Sequence, residues 1–337
     1  MPTPIRLALI GAGIYMRDTH APSLRQHPDL YQIIAVYSRT EESAQRVAAG
    51  FDYPVAIYTD LDAILQRNDV EAVDIALPID LMPDAIERAR AAGKHVISEK
   101  PAAPDLATAR RLLTLDVQYP ATRWVVAENW RYEPGFREAK QLLDAGTIGT
   151  PLFAHWTTCI RMDETNPYYH TGWRRTPAYQ GGFLYDVGVH HAAAWRLLLG
   201  QIVQVTAFAS AVRPDLPPVD TLSAALQFDS GLLAQYAVTF ANGAPYPPHL
   251  HILGSDGALR VDRPQIEILR GDQIERIQIQ GVYPRSHVTM FADFARALRG
   301  EDSSTAGAPS EALADIAFVE ALLRSAENGR AEQVEIS

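Results

Sequence analysis

Apolar residues in the first 128 positions come in short blocks, each followed by a stretch whose apolar residues recur at helical spacing. Ile5-Arg6-Leu7-Ala8-Leu9-Ile10 is the first block, and it runs directly into Gly11-Ala12-Gly13. Helical spacing follows over 15–26, then a second block, Ile33-Ile34-Ala35-Val36-Tyr37. The alternation continues with a helix over 41–50, a short edge segment at 55–58 and a helix start at 60–66 with aspartate near its N-terminus. An apolar block within 70–77 ends at Pro78, and helix 83–92, block 95–99, helix 106–115 and block 124–127 complete the series. Strands buried on both faces read as continuous apolar runs, whereas half-exposed strands alternate. This order of elements predicts a doubly wound parallel sheet over 1–128.

After Asn129 the pattern changes. A turn at 130–134 leads to a helix over 136–145, closed by Gly146, and then to a strand over 152–160. A polar, aromatic loop spans 161–180. Gly181-Gly182 opens a helix that runs to Leu199, with Gly200 at its C-terminal end. Beyond it lie seven runs of mostly alternating polarity, at 203–212, 221–228, 231–240, 249–253, 258–261, 266–269 and 274–279. Short connections such as Phe228-Asp229-Ser230-Gly231 make them antiparallel hairpins. A flexible loop at 300–309, a final helix over 310–328 and an edge strand at 334–336 end the chain. The expected fold is α/β, with a parallel-sheet domain over 1–128 and an α+β domain over 129–337 built on a large, mostly antiparallel open sheet. Such a sheet has one face that needs a cover, which a second subunit could supply.

Composition narrows the function. At 337 residues the chain exceeds one core, in keeping with two domains. A net charge of −10 without a basic block argues against nucleic acid. No run approaches the roughly 20 apolar residues of a membrane span, and the run 7–10 is too short for a signal-peptide core. The single cysteine, Cys159, excludes an intrachain disulfide and a cysteine zinc cluster, and fits a reducing cytoplasm.

The chemistry gathers at strand ends. Strand, glycine turn, helix and strand within the first 37 residues form the βαβ unit that cradles a dinucleotide pyrophosphate on a helix N-terminus. At the end of the second strand, where an acid would bind the ribose hydroxyls of NAD, stand Ser38 and Arg39. That pair suits a 2′-phosphate, so NADP is expected, with NAD possible if Arg39 instead stacks on adenine. The block 95–99 ends in Glu99-Lys100-Pro101, which places Lys100 at the carboxyl edge of the sheet, where open α/β sheets bind ligands. Asp186 and His190 are four apart, on one face of a helix that begins near Asp186. They read either as an N-cap with a core histidine, or as a carboxylate tuning a proton-transferring imidazole. Tyr168, His170, Trp173 and Arg174, in the loop, offer stacking faces and charged donors for a polyhydroxylated ligand.

Taken in order, Gly11-Ala12-Gly13, the run from Ala91 to Pro101 (AAGKHVISEKP), Asn129 to Pro134, Gly146-Thr147-Ile148-Gly149, Gly181-Gly182 with Asp186-x-Gly188-x-His190, and Ser325 to Arg330 resemble the glucose–fructose oxidoreductase / inositol dehydrogenase (Gfo/Idh/MocA) family from end to end. The Ser38-Arg39 pair and the Gly181–His191 run are similar to fungal NADP-dependent members. The resemblance implies a Rossmann domain followed by an open-sheet domain that mediates homodimers or homotetramers. It implies NAD(P)-dependent hydride transfer on sugars, cyclitols or related polyols. Lys100, Asp186 and His190 match the family's catalytic positions, with Lys100-Pro101 its usual cis peptide. Cofactor contacts would come from Gly11, Gly13, Ile14, Ser38, Arg39, Pro78, Glu99, Lys100 and Asn129, with Glu99 near the nicotinamide ribose. Whether Lys100 or His190 carries the proton stays open. So do two other readings: a cofactor-binding regulator without turnover, and an NAD-assisted glycosidase or lyase. Met16 stands where a third small residue is usual. Ile79 and Met82 replace the Asn and His that often follow the proline, and Ala193 replaces a second aspartate.

Overall fold

The computed structural model describes residues 3–175, 180–243, 249–281, 285–301 and 305–335. Two compact units make up the chain, 1–129 with 283–312, and 130–282 with 313–337. These are not the two expected spans, because the chain returns to the first unit after the second sheet. The returning helix, Arg285–Leu298, buries Met290, Phe291, Phe294 and Ala295. It is pinned where Tyr31 donates to the Phe291 carbonyl at 2.6 Å and His27 bonds the Val288 carbonyl at 2.8 Å. No element was expected over 280–299, although Val288, Phe291, Ala295 and Leu298 recur at helical spacing, and that spacing does not say which sheet the helix will cover.

The first unit is built on six parallel strands, β1 (Ile5–Ile10), β2 (Tyr31–Tyr37), β3 (Ala56–Tyr58), β4 (Ala72–Ile75), β5 (His95–Glu99) and β6 (Trp124–Ala127). Their order is β3-β2-β1-β4-β5-β6. The central strands are dry: Leu7, Ala8, Leu9 and Ile10 are 0% exposed, which is why β1 is apolar on both faces. Chain direction across the sheet reverses between β1 and β4, and a doubly wound sheet opens its ligand crevice at that point. Gly11 follows β1 with φ +103°, and a Cβ there would lie 2.2 Å from the Ala76 carbonyl oxygen, just past β4. Only glycine fits. The predicted helix over 15–26 forms with a difference. Its middle turn, Met16–His20, is a π-turn, closed by the Ala21 amide on the Met16 carbonyl, before Ala21–Leu24 resumes as α-helix.

Among the described residues the second unit carries nine strands: β7 (Pro151–Cys159), β8 (Ile202–Ser210), β9 (Thr221–Phe228), β10 (Leu233–Thr239), β11 (Leu250–Gly254), β12 (Ala258–Asp262), β13 (Gln265–Arg270), β14 (Gln273–Gln278) and β15 (Glu332–Gln333). They lie in the order β14-β13-β12-β11-β7-β10-β9-β8-β15. All neighbours are antiparallel except β7 and β10, which run parallel. The expected edge strand at 334–336 is seen two residues earlier, at Glu332–Gln333. Its last expected residue, Ile336, lies outside the described residues, as do 302–304 of the expected loop.

One face of this sheet packs under helices. The helix Gly182–Leu199 sets Trp195 against Trp156 and Phe228, and His191 Nδ1 is 2.5 Å from the Tyr236 hydroxyl. Burial alone pushes the Tyr236 hydroxyl far above the usual phenol range. The opposite face keeps Phe208 75% exposed and Leu233 54% exposed. A polar row crosses that face in register, Gln235, His155, His251, Arg260, Glu267 and Arg276. Within it the His155 and His251 rings stack at 4.5 Å, and both Arg260 and Arg276 pair with Glu267.

Candidate functional site

At the switch point between β1 and β4 the first unit holds a cavity of about 410 Å³, lined among others by Gly11, Gly13, Ser38, Arg39 and Pro78. The glycine turn does two jobs there. Gly11 lets the chain press against the Ala76 carbonyl, whereas a Cβ on Gly13 would meet nothing within 4 Å, so the turn is open toward the cavity. Ile14 begins the helical segment behind it, whose first amides face the turn. At the end of β2 the Ser38 amide donates to the Tyr58 carbonyl at 3.1 Å, and Arg39 projects exposed. Another cavity arginine, Arg88, is already held by Asp62 at 2.5 Å and Asp84 at 3.2 Å. Among the described residues no carboxylate pairs with Arg39. Ile79 and Met82, the departures after Pro78, are 3% and 1% exposed, so these positions serve packing.

Strand β5 ends in charge, with Glu99 as its last residue and Lys100 directly after it. Glu99 is 7% exposed, and the Lys100–Pro101 peptide that follows is cis. His20, fully buried, reaches Glu99 with Nε2 at 2.9 Å and Asp74 of β4 with Nδ1 at 2.9 Å. Beside it the Tyr15 hydroxyl lies 2.7 Å from His287 Nε2, and the Asn129 amide donates to the Ser286 hydroxyl at 3.2 Å. Glu99 and Asn129, both expected cofactor contacts, are thus anchored within their own unit. His20, Asp74 and His287 were not anticipated. The signal was present in β4, where an acid interrupts the block Val73-Asp74-Ile75, because a buried carboxylate requires a partner.

In the second unit the helix Gly182–Leu199 starts four residues before Asp186, so Asp186 lies in its second turn and is not the N-cap. A Cβ on Gly182 would come within 2.8 Å of the Pro217 carbonyl and 3.0 Å of the Arg174 carbonyl, so the glycine lets the aromatic loop close onto the helix. That loop brings three expected residues together. The Arg174 guanidinium lies over the rings of Trp173 at 4.0 Å and Tyr168 at 5.1 Å, and its Nε donates to Asp186 at 2.8 Å. The fourth, His170, is exposed and edges against Tyr169. His190 lies one turn after Asp186 on the same helix. Its ring stacks on Trp130 at 5.0 Å with 7° between planes, and the Arg263 guanidinium lies 4.9 Å from the same indole. Trp130 is thus a positioning residue for His190 that the motif Asn129 to Pro134 contained without announcing. Lys100 belongs to the first unit, Asp186 and His190 to the second.

Burial alone would lower the pKa of His20 from its ordinary 6.5, but the Asp74 and Glu99 carboxylates outweigh it and push the value up to about 10. The folded state therefore binds this proton more tightly than the unfolded chain. The resulting stabilisation is complete below pH 6.5 and is lost as pH rises through 10. At about pH 8.5, roughly midway, nitrogen-15 NMR of labelled histidine is expected to show His20 protonated on both ring nitrogens. A neutral His20 ring at that pH would refute the arrangement.

Comparison with known proteins agrees with this architecture. A family model described as an oxidoreductase family with an NAD-binding Rossmann fold matches residues 5–126, and the Gfo/Idh/MocA C-terminal domain model matches 136–260. The chain is 33% identical to a dehydrogenase of Fusarium mangiferae, over 96% of both chains. It is 28% identical to an inositol 2-dehydrogenase of Rhizobium meliloti, over 95% of this chain and 96% of that one. A crystal structure of an oxidoreductase from Thermotoga maritima superposes with a TM-score of 0.91 at 35% identity, covering 98% of each chain. On the match of both family models and of the Fusarium relative, the chain belongs to the Gfo/Idh/MocA family and is an NAD(P)-binding oxidoreductase of the dehydrogenase and reductase type.

Proposed function

We propose that this chain is an NADP(H)-preferring dehydrogenase or reductase acting on a sugar, cyclitol or related polyol, or on the corresponding carbonyl compound. The observation that carries the cofactor choice is Arg39, exposed at the end of β2 beside Ser38 on the rim of the glycine-turn cavity. A guanidinium and a hydroxyl there recognise a 2′-phosphate, where an acid would repel it. When bound, the nicotinamide accepts or returns the hydride. The residues do the rest. Backbone amides of the Gly11–Gly13 turn and of Ile14 face the pyrophosphate, Pro78 shapes the wall, and Glu99 and Asn129 serve the nicotinamide side. Lys100 donates to the substrate oxygen and stabilises alkoxide charge as it develops. His190, held flat against Trp130, and Lys100 are the two groups able to carry the hydroxyl proton. Asp186 acts by fixing Arg174, and the rings of Tyr168 and Trp173 beside that guanidinium suit a ring with many hydroxyls. His170 completes the substrate set. The inositol 2-dehydrogenase among the relatives supports a cyclic polyol as the first class to screen.

The outer face of the nine-stranded sheet supports a further assignment, a homodimer or homotetramer formed through it, since Phe208 and Leu233 leave apolar area that a second copy would cover. Among the described residues no helix is long and apolar enough to cross a membrane. The proposed compartment is the cytoplasm, in keeping with the lone Cys159.

Titration of the cofactor-free protein should show NADPH binding about tenfold or more tighter than NADH, the worth of one charge-assisted contact. Arg39→Ala should remove most of that preference while leaving NADH affinity within about twofold. A wild-type preference for NADH would overturn the assignment. Lys100→Met should cut turnover by at least about 100-fold with cofactor affinity largely kept, and full activity in that variant would sink the role given to Lys100. Phe208→Asp should shift the mass measured by light scattering toward the monomer. An unchanged oligomer would move the interface elsewhere.

A further inference from the structure

Three ionisable side chains are buried side by side at the carboxyl edge of the six-stranded sheet. His20 and Asp74 are 0% exposed and Glu99 is 7% exposed. An imidazole set between two carboxylates uses both ring nitrogens as donors, and both distances here are 2.9 Å. The other neighbours of the ring are Tyr15 on its own helical segment, at 5.2 Å, and His287 and Phe291 on Arg285–Leu298, at 6.2 and 5.2 Å. Aromatic rings thus flank the imidazole where the carboxylates do not.

Such a trio is a poor way to hold a sheet together. Desolvating charges costs several kcal/mol per ion, and apolar groups of the same volume commonly stabilise as well or better. The rest of this sheet is packed that way, with Leu7, Leu9, Val73, Ile75, Val96 and Ile97 all at 0% exposure. The trio also has a particular address. It ties together the helical segment behind the glycine turn, through His20, with the strands β4 and β5. These elements meet at the crevice edge, and Glu99 immediately precedes Lys100. His20 reaches that address because the π-turn Met16–His20 carries it there.

We propose that His20 is a positioning residue for the cofactor, which fixes the Glu99 carboxylate at the end of β5, with Asp74 bracing the far side of the ring, so that Glu99 meets ribose hydroxyls already oriented. This rests on the reading of the crevice as an NADP(H) site. Pre-orientation by a hydrogen-bonded neighbour commonly matters about as much as the contacting group itself. His20 touches no ligand in this scheme and acts only through Glu99.

The test is a double-mutant cycle read in NADPH dissociation constants, with folding checked by circular dichroism. Glu99→Gln should weaken NADPH about tenfold, and His20→Asn, which keeps a donor only on the Asp74 side, should weaken it by a similar factor. Combined, the two should do no more than either alone. His20→Gln, whose amide reaches toward Glu99, should recover affinity to within about threefold of wild type. A purely structural His20 would instead lower the melting temperature while leaving NADPH affinity as in wild type, and that result overturns the proposal. So does additivity in the double variant, or an unimpaired Glu99→Gln. Should His20→Asn fail to fold, Asp74→Asn is read in its place. A loss of about threefold or more then supports bracing, and an unchanged constant overturns it. Failure of the wild-type protein to bind either NADPH or NADH would overturn the cofactor reading itself, which no His20 variant does.

Discussion

At Gly11 the chain passes so close to the Ala76 carbonyl that not even a methyl group fits, and much of the first unit depends on that contact. It joins the end of β1 to the end of β4, the pair between which the strand order reverses. Because the two turns touch at their base, the space above them is a defined cavity, and Gly13, with open room where its Cβ would stand, is left to face it. The positions of Ser38 and Arg39 at the end of β2 and of Glu99 and Lys100 at the end of β5 follow from the same geometry. A parallel sheet delivers all its carboxyl ends to one edge.

The second unit meets a different requirement, that of holding long polar side chains still. Arg174 lies over the rings of Tyr168 and Trp173 and is tethered to Asp186, and His190 lies flat on Trp130. Neither arrangement needs a metal or a disulfide. Each uses an aromatic face, which gives large contact area for few rotatable bonds. Asp186 and His190 share a helix face, the first bonded to Arg174 and the second stacked on Trp130. The i, i+4 spacing placed them on one face, and each is held there by aromatic and charged neighbours from other segments.

The parallel sheet, the glycine turn, the terminal Glu99-Lys100-Pro101 and the antiparallel runs were legible in the sequence because each depends on local chemistry: apolar periodicity, backbone freedom at glycine, a strand's end. What was not legible depends on distant partners. Nothing within 285–298 says that this helix will cover Tyr31 rather than the nearer strands of the second sheet. His20 reads as an ordinary helical residue unless Asp74 is noticed as an acid inside an apolar strand. Even then Glu99 is needed to explain why both ring nitrogens are occupied. The turn at Met16 could not be seen at all, because a π-turn differs from an α-turn only in which carbonyl an amide selects.

That turn bears on how the sequence can drift. A π-turn is an α-turn holding one residue more, so losing any one residue between Met16 and Thr19 would restore ordinary helical hydrogen bonding at no backbone penalty. It would also swing His20 by about 100° around the helix axis, away from both carboxylates. Substitutions in this segment are therefore far more readily absorbed than changes in its length. Among relatives of this chain, the number of residues between Gly13 and His20 should vary far less than the residues themselves.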